Sequence, residues 1–378
     1  MTNDPPRYVN PRSGASWPVD APIWRAPDDD GYVNLSSGNG LRRDDIDTSL
    51  GSLWRYRKAI RLPGETFDTL GEGWTPLVAT EWGDCSVQMK CEHLMPTGSF
   101  KDRGTAVLFN YLKQSGITEI LEDSSGNAGA SYAAYAAAFG LTARILVPAR
   151  APDAKKTQIA AMGAHVEAIE GTRQTVAEAA LAASEETFYA SHNWQPYFIE
   201  GTKTLAFEIW EQSGFSVPDN VVVPLGYGSN VIGLYLGFQE LIASGEIARM
   251  PRIFGAQAAN CAALFAAWEA GGVATSFDAD ETIADGIASE KPVRVSDVMA
   301  AARESGGGVE VASEAEIAAA FDAFARRGFF VEPTTATAGA VFDKILRSGS
   351  VQKSETTVLV LTGHGLKAME KIIKLTAR

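Results

Sequence analysis

Pro96-Thr97-Gly98-Ser99-Phe100-Lys101-Asp102-Arg103-Gly104 sets one lysine directly after a short turn and directly before a stretch with helical spacing, Ala106, Val107, Phe109 and Leu112. A lysine at the mouth of a helix feels the positive end of the backbone dipole, which disfavours its charged form. An amine kept neutral is a nucleophile able to form a Schiff base with an aldehyde. A lysine after Gly-Ser is more often simply solvated, so this stretch alone leaves both readings open.

Two further stretches narrow the choice. Ser124-Ser125-Gly126-Asn127-Ala128-Gly129 follows the strand-like Ile120-Leu121 and opens an alanine-rich helix over 128–139. Ser and Asn at a helix start are ordinary caps, but a turn gathering N–H groups at a helix N-terminus also receives a carboxylate. Pro224-Leu225-Gly226-Tyr227-Gly228-Ser229-Asn230 follows the apolar strand 221–223 and leads into a helical run over 231–241. Strand, glycine loop and helix form a common phosphate cradle, although such a turn is commonplace by itself. The third glycine of a dinucleotide fingerprint is missing, which weakens an oxidoreductase reading. An imine-forming lysine, a carboxylate turn and a phosphate loop together describe pyridoxal phosphate acting on an amino acid.

With these pieces in place, the chain resembles the threonine-synthase-type members of the tryptophan-synthase-β group (fold type II) of pyridoxal-phosphate enzymes. The matching strings are Leu70-Gly71-Glu72-Gly73-Trp74-Thr75-Pro76-Leu77, the lysine stretch, the S-S-G-N turn and Glu200-Gly201-Thr202-Lys203-Thr204. The glycine loop, Glu332-Pro333-Thr334 and Thr362-Gly363-His364-Gly365-Leu366-Lys367 complete the set. The resemblance implies an α/β fold of two domains, with parallel-rich twisted sheets flanked by helices and the cofactor in the cleft between them. It implies a small domain over 91–200 and a large domain from 51–90 and 201–378; residues 1–50, rich in Pro, Asp, Gly and Ser, read as an irregular arm. It also implies roles. Lys101 would carry the Schiff base and shuttle protons, and Asn127 would bond the cofactor's ring hydroxyl. Ser124, Ser125, Gly126 and Ala128 would line the substrate carboxylate site. Gly226, Tyr227, Gly228, Ser229 and Asn230 would hold the phosphate, and Thr362 would face the pyridine nitrogen. A neutral hydroxyl there does not force the nitrogen to stay protonated, which suits elimination and replacement at Cβ or Cγ better than transamination. The family leads us to expect a homodimer.

Composition fits this class. The chain has 378 residues, 46% hydrophobic content and a net charge of −13. That is enough for one large α/β unit or two closely packed domains, and the charge argues against nucleic acid or an anionic membrane as partner. No apolar stretch reaches membrane-spanning length, and residues 1–10 lack a signal core. Cys85, Cys91 and Cys261 have no metal-ligand spacing, and His93, His165 and His192 are scattered, so reduced thiols, a cytoplasmic setting and no metal site are expected. Some related synthases carry a cysteine-rich metal ribbon near the N-terminus; here no cysteine precedes Cys85.

Strands are expected at 87–90, 120–123, 143–147, 165–169, 188–190, 220–224, 252–256, 329–331 and 357–361. Helices are expected between them, including 153–162, 172–186, 203–212, 231–241, 314–327 and 335–346, with a basic helical piece over 53–62. Ser313 and Glu316 form a capping-box pattern. Alternation of this kind means parallel sheets buried on both faces.

Two departures bear on the substrate. Threonine-making members of the family usually carry Thr where this chain has Ala128, and Arg where it has Phe198. Each lost charge-assisted bond to a substrate phosphate costs about 1.5–3 kcal/mol. The local sequence His192-Asn193-Trp194-Gln195-Pro196-Tyr197-Phe198 is aromatic, either core packing or a wall for an uncharged side chain. Ala284-Asp285-Gly286-Ile287-Ala288 is closer to serine and threonine dehydratases. The reading is therefore a pyridoxal-phosphate-dependent lyase acting on a small amino acid by β/γ-elimination or replacement. A true O-phosphohomoserine-using threonine synthase, a serine/threonine dehydratase and a non-catalytic cofactor-binding protein are the alternatives.

Overall fold

Strands and helices alternate along most of the chain in the computed structural model, which describes residues 5–151 and 153–377. The chain divides into two units. Segments up to Asn39, Arg57–Glu72 and Lys101–Thr202 form the first; Gly40–Tyr56, Gly73–Phe100 and the chain from Lys203 on form the second.

The first unit holds a four-stranded, wholly parallel sheet in the order His165–Ile169, Thr142–Pro148, Glu119–Glu122, Phe188–Tyr189. Its helix Lys101–Gln114 is buried without interruption from Asp102 to Leu112, so it is a core element rather than a surface amphipath. Two glycines permit that burial. A Cβ at Gly201, in the helix Pro196–Thr202, would lie 2.1 Å from the Arg103 carbonyl oxygen, and one at Gly104 would lie 2.5 Å from the Phe198 ring. The first fifty residues, expected to be irregular, contain three short antiparallel strands, Arg7–Val9, Ser16–Pro18 and Asn34–Leu35. Their turns are tied by polar bonds: buried Asn10 donates to Asp28 and Asp29, and Ser13 to Asp28. Trp24 packs edge-on against Tyr189 and Trp194.

The second unit carries six strands in the order Gly308–Ala312, Arg252–Ala258, Asn220–Pro224, Thr357–Val360, Cys85–Lys90, Leu77–Trp82. Only the last pairs antiparallel. The central strands are buried on both faces and read as unbroken apolar runs for that reason. Val222, Phe254, Phe321, Phe342 and Leu359 lie in its main core. Ser313 and Glu316 form the expected capping box, and Pro333 opens the helix Pro333–Arg347 at its first turn.

Two expected elements differ. The piece over 53–62 is only a 3-10 turn, Leu53–Tyr56; beyond it Arg57 donates to the carbonyls of Ile60 and Leu62. Residues 329–331 form no strand; Val331 makes a single bridge to His364. Among the described residues, no helix is long and apolar enough to cross a membrane.

Candidate active site

Lys101 is the first residue of its helix, as the turn before it predicts. The turn is strapped in place within the second unit: the Phe100 amide donates to the Thr362 carbonyl at 3.0 Å and the His364 amide to the Gly98 carbonyl at 2.9 Å. Lys367 Nζ also donates to the Thr97 carbonyl at 2.9 Å. The T-G-H-G-L-K string therefore serves as the clamp on the chain that delivers Lys101, and Gly98 takes the positive φ of 81° that this turn needs. Burial brings the Lys101 amine down to about 7, with Arg173 lowering it further and Glu122 opposing. Desolvation is the largest cause. The amine stands 5.5 Å from the centre of the Phe198 ring, and that ring is fully buried.

The helix Asn127–Phe139 begins on Gly126, with no side-chain cap. Ser124 Oγ accepts from the Gly126 amide at 3.3 Å, so it shapes the turn rather than capping the helix. A Cβ at Gly129 would lie 1.9 Å from the Ser124 carbonyl oxygen, which explains a glycine inside this helix. Ser124 and Ala128 are buried, whereas Ser125, Gly126 and Asn127 are half-buried. Ser131 bonds Asp102 at 2.6 Å and Thr105 at 2.8 Å, pinning the start of this helix against the first turn of the Lys101 helix. Glu72, from the L-G-E-G string, accepts from Tyr135 at 2.9 Å on the same helix. The structure thus places Lys101, the S-S-G-N turn and Phe198 in the first unit.

In the second unit the glycine loop runs as expected from the strand Asn220–Pro224 to the helix Ser229–Ala243. Gly228 is its N-cap, in the left-handed region at φ 103°, without a side-chain cap. A Cβ there would lie 2.2 Å from Val298 Cγ2, and one at Gly226 would lie 3.3 Å from the Ile287 Cα. Gly286 in turn donates to Thr334 Oγ1 at 3.0 Å. The next residue, Thr335, shares a hydrogen bond with Thr362 at 3.1 Å. The loop, the 284–288 segment, the E-P-T string and Thr362 are therefore linked by direct packing. Asn230 is the telling member: its side-chain nitrogen and oxygen are both buried without a hydrogen-bond partner among the described residues. A buried orphan amide at a phosphate-type loop fits an anionic ligand. Tyr227 is half-buried beside it.

Sequence reasoning did not single out Thr334, Thr335, Gly286, Glu122 or His192 as site residues. Thr334 lies in the legible E-P-T string and Thr335 directly follows it; the acidic strand end Glu122 carried no signal beyond its charge.

A family model described as pyridoxal-phosphate dependent enzyme matches residues 69–363. The chain is 33% identical to threonine synthase of Methanosarcina acetivorans, over 95% of this chain and 92% of that one. It is 35% identical to threonine synthase of Mycobacterium bovis, over 81% of this chain and 85% of that one. Its fold matches the solved threonine deaminase isoform 2 of Solanum lycopersicum with a TM-score of 0.69 at 21% identity, over 80% of this chain and 87% of that one. The chain belongs to the pyridoxal-phosphate-dependent enzyme family, as a threonine-synthase-like lyase of fold type II whose cofactor is pyridoxal 5'-phosphate.

Proposed function

We propose that this lyase eliminates a leaving group from Cβ or Cγ of a small, uncharged amino acid, with Lys101 as the residue that bonds the cofactor and takes the Cα proton. When bound, pyridoxal phosphate supplies the electron sink for charge developing at Cα. Lys101 is suited to the proton because its amine titrates near 7, close to the pH at which a base both accepts and returns a proton. The observation that carries the reading is this buried, neutral-leaning amine at the start of a helix. The first-turn amides of the helix Asn127–Phe139 would receive the substrate carboxylate, with Ser124, Ser125, Gly126 and Ala128 lining that turn and Asn127 toward the cofactor ring. Gly226 to Asn230 would hold the phosphate, and Thr362, oriented by Thr335, would meet the pyridine nitrogen.

Phe198 and Ala128 support an uncharged substrate, since neither offers a hydrogen bond to a substrate phosphate, and Phe198 is packed beside the lysine. A second reading, turnover of O-phosphohomoserine to threonine, is favoured by the threonine synthases among the relatives. A panel of serine, threonine, their O-phosphates and O-phosphohomoserine, scored for keto acid, ammonia and phosphate, separates the two. The expected outcome is keto acid and ammonia from serine or threonine, with O-phosphohomoserine at least about tenfold poorer in kcat/KM. Rapid release of phosphate and threonine would establish the second reading.

We further take 91–200 as a small lobe, 51–90 with 201–378 as a large one and 1–50 as an arm, in a cytoplasmic homodimer. Leu366, Met369 and Ile373 are exposed at spacings of three and four on the C-terminal helical segment, a surface suited to a second copy. Light scattering is expected to give twice the mass of the 40.3 kDa chain, and a monomer would remove the dimer reading.

A further inference from the structure

Glu122 ends the strand Glu119–Glu122, directly before the turn that leads to Asn127. Its side chain is fully buried, and Oε1 lies 2.7 Å from Nδ1 of His192, itself buried. Oε2 has no hydrogen-bond partner among the described residues. A buried carboxylate oxygen left unmatched costs stability and calls for a reason. His192 and Lys101 both neighbour the Phe198 ring. His192 lies 5.7 Å from Phe198 between ring centroids, and Lys101 Nζ lies 5.5 Å from that ring's centre.

We propose that Glu122, oriented by His192, is the counter-charge that sets the pH at which Lys101 sheds its proton. The inference rests on Lys101 as the imine-forming residue and adds two positioning residues to it. Burial is the largest influence on all three groups: it lowers Lys101, keeps His192 neutral and raises Glu122, while the Lys101 charge draws Glu122 back toward its ionised form. The other charged or titratable groups facing them are Arg173, at the start of the helix Arg173–Ala183, Asp123 beside Glu122, and the phenols of Tyr132 and Tyr189. Arg173 pushes Lys101 toward its neutral form, and Glu122 pulls it back. Without that pull the amine would lose its proton at lower pH and return it less readily.

The test reads Lys101 itself. Competitive acetylation of the apo protein across pH, with peptide mass spectrometry, gives the midpoint at which the amine becomes reactive. Glu122→Gln keeps the shape and an acceptor for His192, and it is expected to lower the midpoint by about one unit or more, roughly tenfold in the proton equilibrium. His192→Leu, which strips the carboxylate of its partner and favours its protonated form, is expected to move the midpoint the same way. His192→Asn places an amide where Nδ1 stands and is expected to restore it. A purely structural pair would lower the melting temperature and leave the midpoint where the unaltered protein has it, and that result overturns the inference. Should Glu122→Gln fail to fold, the His192 pair of variants decides the same question. Borohydride trapping of pyridoxal phosphate on the Glu122→Gln protein keeps the two readings apart. Trapping at Lys101 with no midpoint shift sinks the counter-charge alone. A shift with no trapping at Lys101 supports the counter-charge and sinks the imine-forming role.

Discussion

Lys101→Ala is expected to lower kcat by about a thousandfold or more, because one substitution removes both the covalent attachment of the cofactor and the base at Cα. Steady-state assay on whichever amino acid the panel identifies measures it, and retention of more than a tenth of the activity would contradict the assignment. The same lysine has an opposite effect on stability. Its amine is lowered from the ordinary value of 10.5 to about 7 in the folded chain, so the unfolded chain binds more protons between those values. Stability of the apo protein therefore rises as pH increases from about 7 to 10.5, and the cost of burying the charge is fully present below 7. Lys101→Met removes that cost. Apo Lys101→Met is expected to be more stable than the unaltered apo protein near pH 6.5 by on the order of 2–4 kcal/mol, with the gap closing toward pH 10.5. Thermal melts of both proteins across pH check the sign; a gap that widens with pH would refute the burial argument.

Gly228→Ala is the second large effect. The residue adopts φ 103°, and its Cβ would fall 2.2 Å from Val298 Cγ2. Either the loop or the helix Val295–Glu304 must shift, which disturbs the amides that open the helix Ser229–Ala243. The dissociation constant for pyridoxal phosphate is expected to rise by about tenfold to a hundredfold, through loss of one to two oriented phosphate bonds. Gly245→Ala is the control. It lies just past the far end of the same helix at φ 81° with nothing within 4 Å of its Cβ, so it carries backbone strain without the collision. An absorbance titration of the apo proteins with cofactor reads both. Equal affinity in the two variants would remove the phosphate-loop assignment.

The parts of the fold that the sequence displays are those where one physical requirement dominates. Val221–Val223 and Thr357–Val360 are apolar without a break because both faces of a parallel strand are covered, and they are legible for that reason. The strand Leu77–Trp82 was not, because it is an edge strand with several exposed residues and a Thr-Glu pair that reads as loop. Gly308–Ala312 was hidden behind three glycines at 306–308, where a Cβ on Gly307 would meet the Ile253 carbonyl oxygen at 2.0 Å. The helix Pro196–Thr202 is short and aromatic, and its character comes from packing against Lys101–Gln114 rather than from its own periodicity. Conversely, Phe329-Phe330-Val331 has strand-like residues but no ladder to join, since Phe330 is used to cover Gly365.

The site divides in the same way. Lys101, the Gly126 turn and the Gly226–Gly228 loop are local devices, each visible as a string, because a turn, a helix start and a backbone cradle are built from consecutive residues. Thr335 against Thr362, Gly286 against Thr334, and His192 against Glu122 join residues 27, 48 and 70 positions apart, and no local spacing announces such pairs. Glu122 is the strongest case. On paper a glutamate at a strand end is a solvated charge; in the fold it is wholly enclosed.

The central claim is that the amine of Lys101 forms the bond to pyridoxal phosphate. Borohydride reduction of the holoenzyme, proteolysis and peptide mass spectrometry test it in one step. The account predicts a single stable pyridoxyl-phosphate adduct on the peptide that contains Lys101. An adduct on another lysine, with Lys101 unmodified, would contradict it.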